Sequence, residues 1–132
     1  MNHKNEILAT LQNNRIDIAL ISETHFTNSS NFYLSGYQIF KTNHPNGTAH
    51  GGAAIIIRSS LIYYPLPSIQ LPHIQACGIS LALNSIPINI YAAYSLPRHT
   101  ITHVQLNDFF TTLGQKFIIG GDINAKNIQA VV

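Results

Sequence analysis

The sequence predicts a single α/β domain. Three observations lead there: near-unbroken apolar runs of strand length that stop at polar residues, two segments whose apolar residues recur at helical spacing, and the absence of any repeat, low-complexity stretch or linker. A length of 132 residues fits one domain, and an apolar fraction of 45% is ample for its core.

From Asn5 to Asn13, Ile7, Leu8 and Leu11 recur at helical spacing and Asn13-Asn14 ends the pattern, which predicts a short amphipathic helix. Ile16-Asp17-Ile18-Ala19-Leu20-Ile21 then reads as a strand covered on both faces, and it stops at Ser22-Glu23-Thr24. Asn28 to Asn31 is loop-like, Tyr37 to Phe40 fits a short strand, and Asn43-His44-Pro45-Asn46-Gly47 carries the residues of a surface turn. Gly51-Gly52 opens a second buried strand, Ala53 to Ile57. Tyr63 and Tyr64 belong to an extended piece that Pro65 and Pro67 close. Ala76 to Leu83 and Ile88 to Tyr94 are two more strands, joined by a short turn around Asn84-Ser85. Beyond Pro97 the period changes: Leu106, Phe109, Phe110 and Leu113 fall at i, i+3, i+4 and i+7, with Thr102 as N-cap and Gly114 as stop signal. The run from Lys116 to Gly121 is the last buried strand, and it ends at Asp122-Ile123-Asn124.

Composition excludes several functions. Charged residues make up only 9% of the chain, so its surface relies on Asn, Ser, Thr, His and Gln. A net charge of +2 with scattered basic residues does not by itself argue for nucleic acid. The lone cysteine, Cys77, lies in an apolar run, which excludes an internal disulfide and suits a buried thiol in a reducing, intracellular compartment. No apolar stretch approaches the roughly 20 residues of a membrane helix, and no basic-then-apolar leader opens the chain. The sequons at Asn28 and Asn46 are therefore read as chance matches in polar turns. His99 and His103 stand four apart, but Thr100-Ile101-Thr102 between them forms helix poorly and no Glu or Cys lies at ligand spacing, so zinc is not expected. Gly51-Gly52 and Gly120-Gly121 lack the spacing and lysine of a phosphate loop, and close approach of packed backbones accounts for them better.

Chemistry is sought where strands end, because functional groups of α/β sheets gather in the crevice at the carboxyl ends of strands. Three apolar runs end on Glu23, Tyr94 and Asp122, the last followed by Asn124. Mg2+ takes hard oxygen ligands and is often held by one or two carboxylates, for which Glu23 and Asp122 are the natural pair. An Asn amide orients a water or a phosphate oxygen without adding repulsion, and a Tyr hydroxyl donates to developing negative charge. Beside this stands the bland reading. An acidic residue after a strand is most often solvated, Gly, Asp and Asn all favour turns, and Tyr94 in an apolar run is more often a packing aromatic. Arg58, Arg98, Lys116 and Lys126 are candidates for phosphate contact, each more commonly a solvated charge, with Arg98 placed beside the tyrosine motif.

These residues also carry a resemblance. The segment from Ile16 through Ser22-Glu23-Thr24-His25 resembles the metal-ligand strand of endonucleases from jockey-like non-LTR retrotransposons, members of the exonuclease, endonuclease and phosphatase superfamily. Gly51-Gly52-Ala53-Ala54-Ile55 resembles their next strand, Tyr94-Ser95-Leu96-Pro97 their tyrosine-and-proline motif, and Gly120-Gly121-Asp122-Ile123-Asn124-Ala125-Lys126 their Gly-Asp-Phe-Asn-Ala-Lys signature. Order and spacing agree over nearly the whole chain, and the joint match is far more specific than any single motif. The resemblance implies a four-layer sandwich of two packed β-sheets flanked by helices. It implies nicking of double-stranded DNA, with Mg2+ or Mn2+, to expose a 3' hydroxyl for the reverse transcriptase of the same element in the nucleus. By resemblance Glu23 binds the metal, Tyr94 contacts the scissile phosphate, and Asp122 with Asn124 orients the attacking water and the phosphate. Arg98 and Lys126 are the implied DNA contacts. Tyr91 lacks the following proline and is the weaker tyrosine candidate.

Departures from the family pattern matter equally. The family begins with a strand ending in an active-site Asn, a place that Asn2 does not fill. It continues past the Gly-Asp-Phe-Asn segment to a further Asp and an Asp-His pair, without counterparts before Val132. Residues 1–132 are thus expected to form a partial domain of impaired activity. The alternatives are a non-catalytic remnant that binds DNA or metal weakly, and a phosphomonoesterase of the same superfamily, against which Gly-Asp-Ile-Asn-Ala-Lys with Ser-Glu-Thr speaks.

Overall fold

The computed structural model describes residues 4–26, 33–47, 51–95 and 101–123. Helix α1 (Lys4–Asn13) leads into strand β1 (Ile18–Ser22), followed by β2 (Tyr37–Thr42) and β3 (Ala53–Arg58). These strands form an antiparallel sheet in the order β1-β3-β2. Side chains alternate between the two faces of a strand, and both faces of β3 are covered, which is why its run is apolar throughout. Ala53, Ile55 and Ile57 face the second sheet. Ile56 faces the other way, into a cluster with Leu11, Leu34, Tyr37, Ile21, Ile39 and the α1 residues Ile7 and Leu8. Each fully buried aliphatic side chain of this kind stabilises the fold by about 1.5–3 kcal/mol.

The second sheet holds β4 (Tyr64–Pro65), β5 (Ile69–Gln70), β6 (Gln75–Leu83) and β7 (Ile86–Tyr94), and after α2 (His103–Thr112) the strand β8 (Phe117–Asp122). Its order is β4-β6-β7-β8, with β5 also pairing β6. β6 and β7 form a hairpin, whereas β7 and β8 run parallel, as a crossover through a helix requires. Cys77, Ile79, Leu81, Ile90 and Ala92 face the first sheet. Ile74, Ala76, Tyr91 and Ala93 face α2 and meet Phe109 and Leu113. The layers are therefore helix, sheet, sheet, helix, the four-layer sandwich expected.

Local chemistry explains the element ends. Thr102 caps α2 reciprocally: its hydroxyl accepts from the Gln105 N–H at 3.1 Å, and the Gln105 side chain accepts from the Thr102 N–H at 3.0 Å. β1 starts at Ile18 rather than Ile16, because the Ile16 N–H still bonds the Leu11 carbonyl at 2.9 Å and Asp17 is drawn to Arg58 at 2.8 Å. β7 starts two residues earlier than its apolar run, at Ile86, since the turn is tight enough to pair Leu83 with Ile86 directly. β2 likewise extends to Thr42, opposite Ala53. The two-residue β5 follows the prolines and carries no periodic signal that a sequence reading can use.

Candidate active site

The carboxyl end of β1 meets the start of β3, where Ser22 pairs with Ala53. Beyond that pair the Glu23 N–H donates to the Gly52 carbonyl at 2.8 Å and the His25 N–H to the Gly51 carbonyl at 3.0 Å. Glu23 and His25 adopt left-handed backbone, at φ +58° and +57°. Non-glycine residues rarely do so, and such strain collects at functional sites. The other left-handed non-glycine residues described are Arg15, which leaves α1, and the hairpin pair Asn84 and Ser85. The Glu23 and His25 side chains lie 3.4 Å apart and both are about half exposed, at 54% and 53%. Gly52, at φ +89°, leaves no room for a side chain: a Cβ would sit 2.6 Å from the Thr24 hydroxyl.

On the opposite sheet, Gln75 pairs with Tyr94 and Tyr94 pairs with Asp122. The Ser95 N–H continues the ladder to the Asp122 carbonyl at 2.9 Å. Gly121 precedes Asp122 at φ +129°, and a Cβ there would overlap the Ala93 carbonyl oxygen, so only glycine fits. Gly120 lets β8 press against β1, with Leu20 in the place of its missing side chain. Tyr94 is buried and Asp122 exposed. Tyr94 lies on the inter-sheet face, its ring 3.6 Å from where a Gly51 Cβ would be. Tyr91 lies on the other face of β7, its ring over Gly78. The choice of Tyr94 over Tyr91 on the strength of a neighbouring proline thus coincides with a difference in face.

The two sheets are joined at this end. The Gly52 N–H donates to Gln75 Oε1 at 3.1 Å, and nearby the Thr42 hydroxyl donates to the Ala76 carbonyl at 3.0 Å. The ends of β1, β7 and β8 therefore share one edge of the sandwich, bringing Glu23, Tyr94 and Asp122 to it from two sheets. Asn124, Arg98 and Lys126 lie outside the described residues, as does His99. Arg58 is committed elsewhere: it bonds Asp17 and the Ile16 carbonyl and lies over the Tyr37 ring. Gln75 belongs to none of the sequence motifs, and only the polar interruption that it makes before Ala76 and Cys77 could have marked it.

Chemically, the edge offers hard oxygen donors of the kind Mg2+ takes, one carboxylate from each sheet, beside a phenol. Among the described residues no group of three His, Cys, Asp or Glu side chains could hold a metal ion, so a cation here would keep most of its waters, as Mg2+ commonly does. A separate cavity of about 170 Å3 opens beside Glu23 and Thr24, lined by Ile21, Phe26, Ile39, Ala54 and Ile56. It lies on the α1 side of the first sheet, away from Tyr94, and its apolar wall suits no phosphate.

Known proteins share this fold of two packed sheets between helices. The model of the endonuclease/exonuclease/phosphatase family matches residues 1–129, and the chain belongs to that family. More particularly, it is similar to proteins of mobile elements. It is 35% identical over 122 residues to the RNA-directed DNA polymerase from mobile element jockey of Drosophila funebris, and 33% identical over 123 residues to the probable RNA-directed DNA polymerase from transposon X-element of Drosophila melanogaster. Each match covers 92% of this chain but only 13% and 14% of those relatives. The solved endonuclease domain of TRAS1, a telomere-specific non-LTR retrotransposon, has a similar fold, with a TM-score of 0.63 and 24% identity, over 96% of this chain and 55% of that one. A family protein from Leptotrichia buccalis matches with a TM-score of 0.65 at 15% identity, over 94% and 60% of the two chains. No helix among the described residues is long and apolar enough to cross a membrane.

Proposed function

We propose that the chain carries the metal-dependent, DNA-nicking site of a non-LTR retrotransposon, acting on double-stranded DNA in the nucleus to prime the reverse transcriptase of the same element. The observation that carries this reading is the meeting of Glu23, Tyr94 and Asp122 at one edge from three strand ends. Glu23 would hold Mg2+ or Mn2+, with Asp122 nearby, and the bound metal would supply charge stabilisation at a phosphoryl oxygen. Tyr94 would donate its hydroxyl to the scissile phosphate, and Asp122 with Asn124 would orient the attacking water. Arg98 and Lys126 would contact flanking phosphates, fixing register without reading sequence. The jockey and X-element relatives favour this branch over the phosphomonoesterases.

The thin donor set among the described residues favours a second, weaker reading: a chain that binds metal and DNA without efficient turnover. Groups that act as a unit lose orders of magnitude in rate when members are missing. The test is relaxation of supercoiled plasmid with Mg2+ or Mn2+, run beside a chimera in which a relative's flanking endonuclease segments extend this chain. Nicking is expected in the chimera, lost on Asp122→Ala, and far slower in the 132-residue chain. A chimera whose nicking survives Asp122→Ala refutes the assignment; robust nicking by the unextended chain refutes the weaker reading.

A further inference from the structure

The face of β6 that meets the first sheet reads Gln75, Cys77, Ile79, Leu81, apolar except where it reaches the site. Gln75 is 1% exposed. A buried amide is costly unless both its ends are bonded, and both are: Nε2 donates to the Leu71 carbonyl at 2.7 Å and Oε1 accepts from the Gly52 N–H at 3.1 Å. The core could take an aliphatic residue of the same volume there; the amide reaches something that such a residue could not.

What it reaches is the Gly51–Gly52 peptide. That unit is planar, with its N–H and carbonyl pointing opposite ways. The N–H is held by Gln75, and the carbonyl accepts from the His25 N–H at 3.0 Å. The next carbonyl, of Gly52, accepts from the Glu23 N–H at 2.8 Å. Both glycines are left-handed and have no side chain to brace them, at φ +63° and +89°, so this peptide can swing unless something pins it. Gln75 pins it from the opposite sheet, and its own strand partner is Tyr94.

We propose that Gln75 is a positioning residue which, through the Gly51–Gly52 peptide, holds the strained segment carrying Glu23 in place against Tyr94. The proposal rests on the reading of Glu23 as a metal ligand and deepens it. Gln75→Met keeps the volume and removes both hydrogen bonds. Gln75→Asn keeps the amide but is one methylene too short to reach Gly52, and it serves if the methionine variant melts at room temperature.

Two readouts are followed: amide hydrogen exchange at Glu23 and His25, and Mn2+ binding by water-proton relaxation, each beside a thermal melt. Loss of exchange protection at both amides is expected, with Mn2+ affinity about tenfold weaker, the usual scale for losing a group that orients a metal ligand. In a Glu23→Gln background, Gln75→Met should change Mn2+ affinity no further, because it acts through Glu23. A variant that melts lower yet keeps amide protection and Mn2+ affinity shows a merely structural glutamine and overturns the proposal. Equal Mn2+ affinity for the wild type and Glu23→Gln instead defeats the underlying metal reading, while the exchange measurement still decides whether Gln75 holds the segment.

Discussion

Cys77 shows how one residue registers its surroundings. Its thiol is 3% exposed between the two sheets, where burial disfavours the thiolate and pushes its pKa from 9.0 up to about 12, against smaller opposing hydrogen bonds from its neighbours. In the unfolded chain the thiol ionises near its ordinary value. Between pH 9 and 12 the unfolded state therefore loses a proton that the folded state keeps, and stability falls as pH rises; below pH 9 this contribution is fully present. Burial also raises the Tyr91 hydroxyl from its ordinary 10.0, which adds in the same direction at higher pH. From pH 9 to 10 the cysteine therefore supplies most of the loss, with Tyr91 joining as the pH nears 10. Urea melts across this range should show stability declining by up to about 1.4 kcal/mol per pH unit, with the slope flattened in Cys77→Ala. An unchanged slope in that variant would assign the loss to other groups. The expectation of a buried thiol, drawn from the run around Ala76 to Leu81, is met.

The β6–β7 hairpin makes the corresponding argument for an element. Asn84 and Ser85 both lie in the left-handed region, at φ +51° and +66°, the requirement of a two-residue turn whose twist matches its strands. Asn tolerates that conformation and Gly suits it best, whereas Ser pays a steric penalty. Ser85→Gly should therefore stabilise the protein by about 0.5–1 kcal/mol, read as a rise in melting temperature. A lower melting temperature would mean that the serine contributes something its exposed position does not suggest. Period and punctuation made nearly every element legible: apolar runs of strand length around the Asn84-Ser85 turn marked β6 and β7, and helical spacing with a capping threonine marked α2. What escaped were features set by pairing rather than by pattern, such as the start of β7 at Ile86 and the two-residue β5. The site divides in the same way. Glu23, Tyr94 and Asp122 were legible as strand ends, but their meeting depends on β1 lying in one sheet and β7 and β8 in the other. Gln75, which couples the sheets, shows locally only as a polar residue ahead of an apolar run, because its importance lies in Gly52, 23 residues away.

At the scale of the whole molecule, the sandwich is uneven. Among the described strands β1 pairs only with β3 and β8 only with β7, so each presents an edge. Both edges lie on the same side, since Gly120 of β8 sits against Leu20 of β1. Proteins protect such edges with lysine, proline or a bulge, and neither strand has a lysine or proline: β1 reads Ile-Ala-Leu-Ile-Ser, and the one charge of β8 is its last residue, Asp122. Every residue of β1 is only half-buried, Ile118 is 50% exposed, and a groove of about 330 Å3 runs beside Ile16 and Ala19 against Ile7 and Leu11 of α1. Apolar edges of this kind recruit other strands. The 132-residue chain is accordingly expected to self-associate with rising concentration. Sedimentation should give a mass that climbs above 14.6 kDa, and Ile118→Lys should return it toward the monomer by placing a charge on the β8 edge. Because Ile118 is already half in solvent, the substitution should leave the melting temperature nearly unchanged, which separates edge protection from unfolding. A chain that stays monomeric at millimolar concentration, or one whose association ignores Ile118→Lys, would place the cohesive surface elsewhere or show these edges to be already covered.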